Sequence, residues 1–193
     1  MKKAILIDFH DSFTFNIAAE LESTGFFQVQ VIQWQDWPAS ALSADLLVLG
    51  PGPGHPDEYL PKITSALNEA LECPQCFVLG ICLGHQLIWR NLTVPVVSSA
   101  QLMHGQSIEL KLSGYWQNKL SLFQSKVRVQ RYNSLVVDAQ HARFYSQDKQ
   151  LLFHHEELMM SCWPGVMTYQ FHPESIGTTY PQKFFCFLND CFL

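Results

Sequence analysis

Phe77-Val78-Leu79-Gly80-Ile81-Cys82-Leu83-Gly84-His85-Gln86 is the stretch from which the fold is read. Its apolar run ends in Gly-x-Cys-x-Gly and gives way to helix-compatible residues. A strand, a tight turn and a helix look like this when the turn carries a nucleophile. The turn forces the cysteine backbone into a strained conformation, and side chains at positions 80 or 84 would collide with the adjacent strand and helix. The Cys82 thiol is expected to sit exposed at a helix N-terminus, where the partial positive charge favours a thiolate. Hydrolase, peptidase and redox chemistry all fit this stretch by itself.

Upstream, Lys3 to Ile7 predicts a buried strand. Asp11 or Ser12 is placed to cap a helix running to about Ser23, with Gly25 as its stop. Gln28 to Gln33 and Ala44 to Leu49 predict two further strands, and Asp57 to Leu71 a helix with its acids at the favourable N-terminal end. Downstream of the elbow, Gly84 to about Asn91 reads as a helix. Short strands are predicted over Val94 to Val97, Ser107 to Leu112, Val127 to Gln130, Phe144 to Ser146, Leu151 to His154 and Met167 to Phe171. Ser107 to Leu112 alternates strictly, as a half-buried antiparallel strand does. Pro181 to Leu193 forms a closing helix with Phe184, Phe185, Phe187, Leu188 and Phe192 on its apolar face. Together these predict one α/β domain over residues 1–193. Its mostly parallel central sheet is flanked by helices, with a small antiparallel extension.

The chain has 193 residues, 48% of them hydrophobic, and a formal net charge of -5 without a basic block. That disfavours nucleic-acid binding and adhesion to an anionic membrane. No apolar run reaches bilayer length, and Asp8 interrupts the apolar start before a signal peptide could form, so a cytoplasmic protein is expected. The six cysteines do not space like a disulfide framework. Cys73-Pro-Gln-Cys76 lacks the second pair a zinc site needs, and no metal site is expected. His154-His155-Glu156-Glu157 reads as a solvated turn, because neighbouring strand residues face opposite sides.

Two further stretches bear on Cys82. Gly50-Pro51-Gly52-Pro53-Gly54 is a proline-stiffened loop after a parallel strand; its donor N–H groups belong to Gly52 and Gly54, so it can supply half of an oxyanion hole. In His172-Pro173-Glu174, residues i and i+2 of an extended segment point the same way, so Glu174 can orient the His172 imidazole. Pro173 should end the strand ladder and leave both side chains exposed. Here the acid follows the histidine, unlike the order of an α/β-hydrolase triad.

Gly80-Ile81-Cys82-Leu83-Gly84-His85-Gln86 with Gln170-Phe171-His172-Pro173-Glu174-Ser175 resembles the triad-type (class I) glutamine amidotransferases. Asp11-Ser12-Phe13-Thr14-Phe15-Asn16, Pro51 to Gly54, Met103-His104-Gly105 and Arg131-Tyr132-Asn133-Ser134-Leu135-Val136-Val137 are similar to the small subunit of anthranilate and aminodeoxychorismate synthases. The resemblance spans essentially the whole chain. It implies a flavodoxin-like three-layer fold and hydrolysis of L-glutamine through a Cys82 γ-glutamyl thioester. The oxyanion would lie between the Leu83 N–H and the Gly52 loop, and His172, oriented by Glu174, would act as acid and base. Gln86, Ser134 and Leu135 would bind glutamine. Ammonia would pass to a separate chorismate-binding synthase subunit, with no cofactor and no metal held by this chain.

The sequence departs from the family pattern at Phe9-His10, Thr93-Val94, Gln106 and Asn133. Glycines usually stand where Thr93-Val94 does, and glycine adopts positive φ cheaply, so that connection is expected to be built differently. Two rival readings are a free-standing γ-glutamyl hydrolase or peptidase of the same superfamily, and a degenerate partner-binding module.

Overall fold

The computed structural model describes residues 1–37 and 44–191. The apolar runs become strands β1 (Lys2–Asp8), β2 (Phe27–Gln33), β3 (Leu46–Leu49), β4 (Phe77–Ile81) and β11 (Val166–Tyr169), which pair in parallel in the order β2-β1-β3-β4-β11. Two antiparallel strands, β10 (Glu157–Trp163) and β9 (Gln150–His154), continue the sheet beyond β11. Two small antiparallel pairs stand apart, β5 (Val96–Ser98) with β8 (Leu135–Val137) and β6 (Gln106–Lys111) with β7 (Lys126–Arg131).

Alternate residues of the central parallel strands feed two different cores, which is why β3 and β4 are apolar throughout apart from Gly80. Ala4, Leu6, Leu46, Val48, Leu79 and Ile81 face one core. Helices α1 (Thr14–Ser23) and α6 (Lys183–Asp190) cover that face with Ile17, Leu21, Phe184, Phe185 and Leu188. Ile5, Ile7, Leu47, Leu49 and Val78 face the other core, under α2 (Pro56–Glu72) and α3 (Leu83–Asn91). Two short helices, α4 (Gly114–Lys119) and α5 (Ala139–Arg143), lie in the connections. Among the described residues no helix is long and apolar enough to cross a membrane.

Several local expectations are corrected. Phe144 to Ser146 is not a strand: Asp138 accepts a bond from the His141 N–H at 2.9 Å and starts α5, and the chain turns after it, leaving Phe144 exposed. Neither Asp11 nor Ser12 caps α1, which begins at Thr14. Asp11 instead accepts from the Phe13 N–H at 2.8 Å in the turn leading in. The start of that turn is tied down by Asp8, whose Oδ1 accepts from the His10 N–H at 2.8 Å and from Thr14 Oγ1 at 2.7 Å. Burial works against the Asp8 charge, but bonds from Thr14, Gln33 and the backbone outweigh it and hold its pKa below the usual value. Helix α2 has a capping box that the sequence reading missed: the His55 ring accepts from the Asp57 N–H, and Glu58 accepts from the His55 N–H. Phe192, expected on the closing helix, lies outside the described residues.

The connection after α3 is also not what the missing glycines led us to expect. Thr93 itself takes the left-handed conformation, at φ 68°, and its N–H bonds the Arg90 carbonyl at 2.9 Å while the Val94 N–H bonds the Trp89 carbonyl at 3.1 Å. The glycine-type helix ending is therefore kept, with a β-branched residue bearing the strain. Thr93→Gly should raise unfolding free energy by about 1 kcal/mol, measured by urea denaturation, because the strain relieved exceeds the entropy glycine adds to the unfolded chain.

Candidate active site

Cys82 sits between β4 and α3 at φ 53°, ψ -103°, a conformation L-residues avoid. The glycines around it make the elbow fit. A Cβ on Gly84 would lie 2.1 Å from the Leu49 carbonyl oxygen, and one on Gly80 would meet the Gly84 backbone at 2.8 Å. Backbone bonds fasten the turn: the Cys82 N–H donates to the Tyr169 carbonyl at 2.8 Å, and the Gly84 N–H to the Gly50 carbonyl at 3.2 Å. The elbow is thus pinned to strands on both sides, at the carboxyl ends of the parallel strands where open α/β sheets place their ligands.

His172 lies three residues beyond β11 and forms an isolated antiparallel bridge with Gln130, its N–H on the Gln130 carbonyl at 2.9 Å. The ladder of the large sheet ends, as Pro173 demands, but neither His172 nor Glu174 becomes exposed. The His172 side chain is 2% accessible and that of Glu174 not at all. The reason is that the segment docks onto β7, with the rings of Phe13 and Tyr132 each 5.0 Å from the imidazole. Cys82 too is buried, 8% accessible, rather than exposed.

The His172 Nδ1 is 2.7 Å from Glu174 Oε1, and Cys82 is close enough to act on the imidazole's charge. Burial disfavours the imidazolium, but interactions with Cys82 and Glu174 outweigh it and hold the His172 pKa well above its ordinary value. The Glu174 charge reaches further: Glu20, on α1, has its pKa raised by burial and by that carboxylate.

One cavity of about 140 Å³ is lined by Gly52, Gly54, Cys82, Leu83, Gln86, Ser134 and Leu135, every oxyanion and binding residue expected from the sequence. His172 and Glu174 are not on its wall; they stand behind Cys82. Gly52 packs so closely that a Cβ there would be 2.4 Å from that of Phe9 and 2.7 Å from Leu83 Cδ2. Gln86 Nε2 donates to the Leu135 carbonyl at 2.9 Å and to Gln170 Oε1 at 3.2 Å. Tyr132 and Asn133 also line the cavity. Gln170, fully buried, directs Nε2 to the Cys82 sulfur at 3.9 Å. The sequence reading gave none of these three a role, although Gln170 lies on the alternation that leads to His172.

The other candidates separate from the site. Burial pushes the Cys76 thiol up to about 11, out of the range of a redox or ligand thiolate. It lines a larger cavity, of about 870 Å³, beside residues such as Lys2 and Gly165 at the opposite ends of the parallel strands. Among the described residues no three ligating side chains converge on a metal position. In the His154 to Glu157 turn, His155 and Glu156 take positive φ, but Glu157 is not solvated: it is buried and paired with Arg131.

A doubly wound sheet carrying an elbow cysteine beside a buried imidazole and carboxylate is an arrangement able to support thiolate attack on a carbonyl carbon. Comparison with known families specifies it. Residues 5–191 match the model for glutamine amidotransferase class-I, and the chain belongs to that family. It is 29% identical to anthranilate synthase component 2 of Saccharolobus solfataricus, over 98% of this chain and 99% of that one. It is 33% identical to the protein of that name from Pseudomonas putida, over 94% and 93%. Its identity to the aminodeoxychorismate/anthranilate synthase component 2 of Bacillus subtilis is 30%, over 93% and 91%. The fold matches a solved glutamine amidotransferase from Thermotoga maritima at TM-score 0.70 and 17% identity, over 90% of this chain and 76% of that one. It also matches the glutaminase domain of Trypanosoma brucei CTPS at TM-score 0.76 and 12% identity, over 100% and 94%.

His85, three residues past the nucleophile, is fully buried with Nδ1 2.7 Å from Thr168 Oγ1, and burial drives its pKa down to about 3. An unfolded histidine takes up its proton near 6.5, so this group costs the folded state stability as pH falls from about 6.5 toward about 3, by roughly 1.4 kcal/mol per unit. His172 has the opposite sign: its raised pKa contributes stability at low pH that is lost as pH rises through the folded value. A His85→Gln chain should therefore unfold at a lower pH than its parent when far-UV circular dichroism is followed through an acid titration.

Proposed function

We propose that this chain is the glutaminase component of a chorismate-using synthase, hydrolysing L-glutamine and supplying ammonia to a separate synthase subunit. The observation that carries the reading is the buried His172, 2.7 Å from Glu174 and close to Cys82, next to a cavity lined by Cys82 and all the expected binding residues. The names of the full-length relatives, component 2 of anthranilate and of aminodeoxychorismate synthases, support the partner.

In this reaction the Cys82 sulfur attacks the side-chain carbonyl carbon of glutamine. The N–H groups of Leu83 and Gly52 receive the oxyanion. The protonated His172 gives its proton to the departing nitrogen, and ammonia leaves a γ-glutamyl thioester on Cys82. His172 then takes a proton from water as the water oxygen attacks the thioester, and glutamate departs with the thiol restored. Gln86, Ser134 and Leu135 hold the substrate. Phe15, Leu102 and Ile176, on segments that reach the site, are exposed apolar side chains that a synthase subunit would cover. Such docking would distinguish the reading from a free-standing γ-glutamyl hydrolase.

Cys82→Ser should abolish glutamine hydrolysis with the fold intact, and Glu174→Gln should lower kcat by roughly 10²- to 10⁴-fold, assayed as glutamate release in the complex. Retained turnover in Cys82→Ser would sink the mechanism. Phe15→Asp combined with Ile176→Asp should weaken capture of the chorismate-dependent subunit from cell extract by at least about tenfold while leaving the circular dichroism spectrum unchanged.

A further inference from the structure

Behind the wall of the elbow cavity lies an ion pair that touches none of the reacting groups. Arg131, its side chain 1% accessible, places Nη2 2.5 Å from Glu157 Oε2. Glu157 also accepts from the Ser99 hydroxyl, and the Ser99 N–H donates to the Ser134 carbonyl at 2.8 Å. Arg131 Nε donates to Asn133 Oδ1 at 3.1 Å, and Asn133 Nδ2 donates to the Leu135 carbonyl at 2.9 Å. That carbonyl also receives Gln86 Nε2, at 2.9 Å. Asn133, Ser134, Leu135 and Gln86 line the elbow cavity. Arg131 and Glu157 instead line a separate cavity of about 370 Å³.

The chemistry of the chain of bonds gives it a direction. A guanidinium only donates, so it fixes which end of the Asn133 amide faces inward and forces the NH₂ toward Leu135. Glu157 holds the guanidinium, and through Ser99 it holds the Ser134 carbonyl too. A buried ion pair is a poor source of stability, since apolar residues of similar volume often do as well or better. Apolar residues cannot present a fixed donor to Asn133.

We infer that the Arg131–Glu157 pair is a positioning device for the Asn133–Leu135 wall, setting the affinity for glutamine without taking part in bond breaking. The inference rests on the glutaminase reading and adds to it the residues that shape the substrate wall. Loss of the pair lets the Asn133 amide turn and the Leu135 carbonyl shift, while Cys82, His172 and Glu174, held by β4, β11 and β7, stay in place.

The test uses the full chain and a glutamine-analogue diazoketone that alkylates the nucleophile. Two numbers are read: the reagent concentration giving half the maximal labelling rate, and the maximal rate itself. In Arg131→Met/Glu157→Met the half-saturating concentration should rise roughly tenfold or more, with the maximal rate within about threefold and the thermal midpoint not lowered. Arg131→Lys keeps the charge but loses the Nε donor, and should show the same split; it also serves if the double variant fails to fold. Half-saturation unchanged in the variants, or a fall confined to the maximal rate, overturns the inference alone. A parent chain that takes up no label overturns the glutaminase reading and the inference with it.

Discussion

One backbone approach shapes this molecule, between α3 at Gly84 and the end of β3, where a Cβ would stand 2.1 Å from the Leu49 carbonyl. Because that atom is missing, the helix after the elbow can drop onto the sheet. Its first turn then meets the glycine-proline loop that follows β3, which puts Leu83 and Gly52 side by side on one cavity wall. The left-handed backbone of Cys82 follows from the same approach, since a chain that leaves β4 and turns at once into so close a helix has no relaxed path. The strain is met by bonds from the elbow to Tyr169 and Gly50 on neighbouring segments.

The imidazole depends on a second constraint. His172 is 2% accessible, yet Cys82 and Glu174 hold it toward its charged form. Its position comes from a strand that changes partner: β11 pairs with β4 in the large sheet, and three residues later the same chain pairs with β7. This switch brings the small β6–β7 ribbon and its Tyr132 up against the nucleophile, and with them the loop that forms the far wall of the cavity. Burial of His172 and Glu174, instead of the exposure that Pro173 alone suggests, follows from that docking.

The parts of the structure legible in the sequence are those whose signal is local. Strands buried on both faces are continuous apolar runs, and an elbow announces itself by its glycines. The His-Pro-Glu spacing is enough to pair an imidazole with a carboxylate. Strand β10 was not legible, because Glu157 and Ser161 interrupt its apolar residues and each is satisfied by a partner far along the chain. Phe144 misled because an aromatic run says nothing of the Asp138 cap before it. Thr93 shows the limit of reasoning from residue type: the turn was set by the packing of α3, and the residue accepted it. Arg131 and Asn133 belong to a motif visible in the sequence, but the Arg131–Glu157 pair exists only once β7 and β10 are assembled.

The pairing of β4 with β11 has a consequence for how the protein comes into being. Val78 lies beside Val166 and Ile81 beside Tyr169, so the two strands that lead to Cys82 and His172 are joined by a very long excursion of chain. Closing such a loop is entropically costly and slow compared with forming the β1–α1–β2 neighbourhood. During synthesis the cysteine emerges well before its histidine, and it meets only an incomplete sheet edge until the last strand arrives. The proposed chemistry would thus be withheld by topology: a nascent or truncated chain carries Cys82 without His172, and the two meet only when the final segments close the sheet.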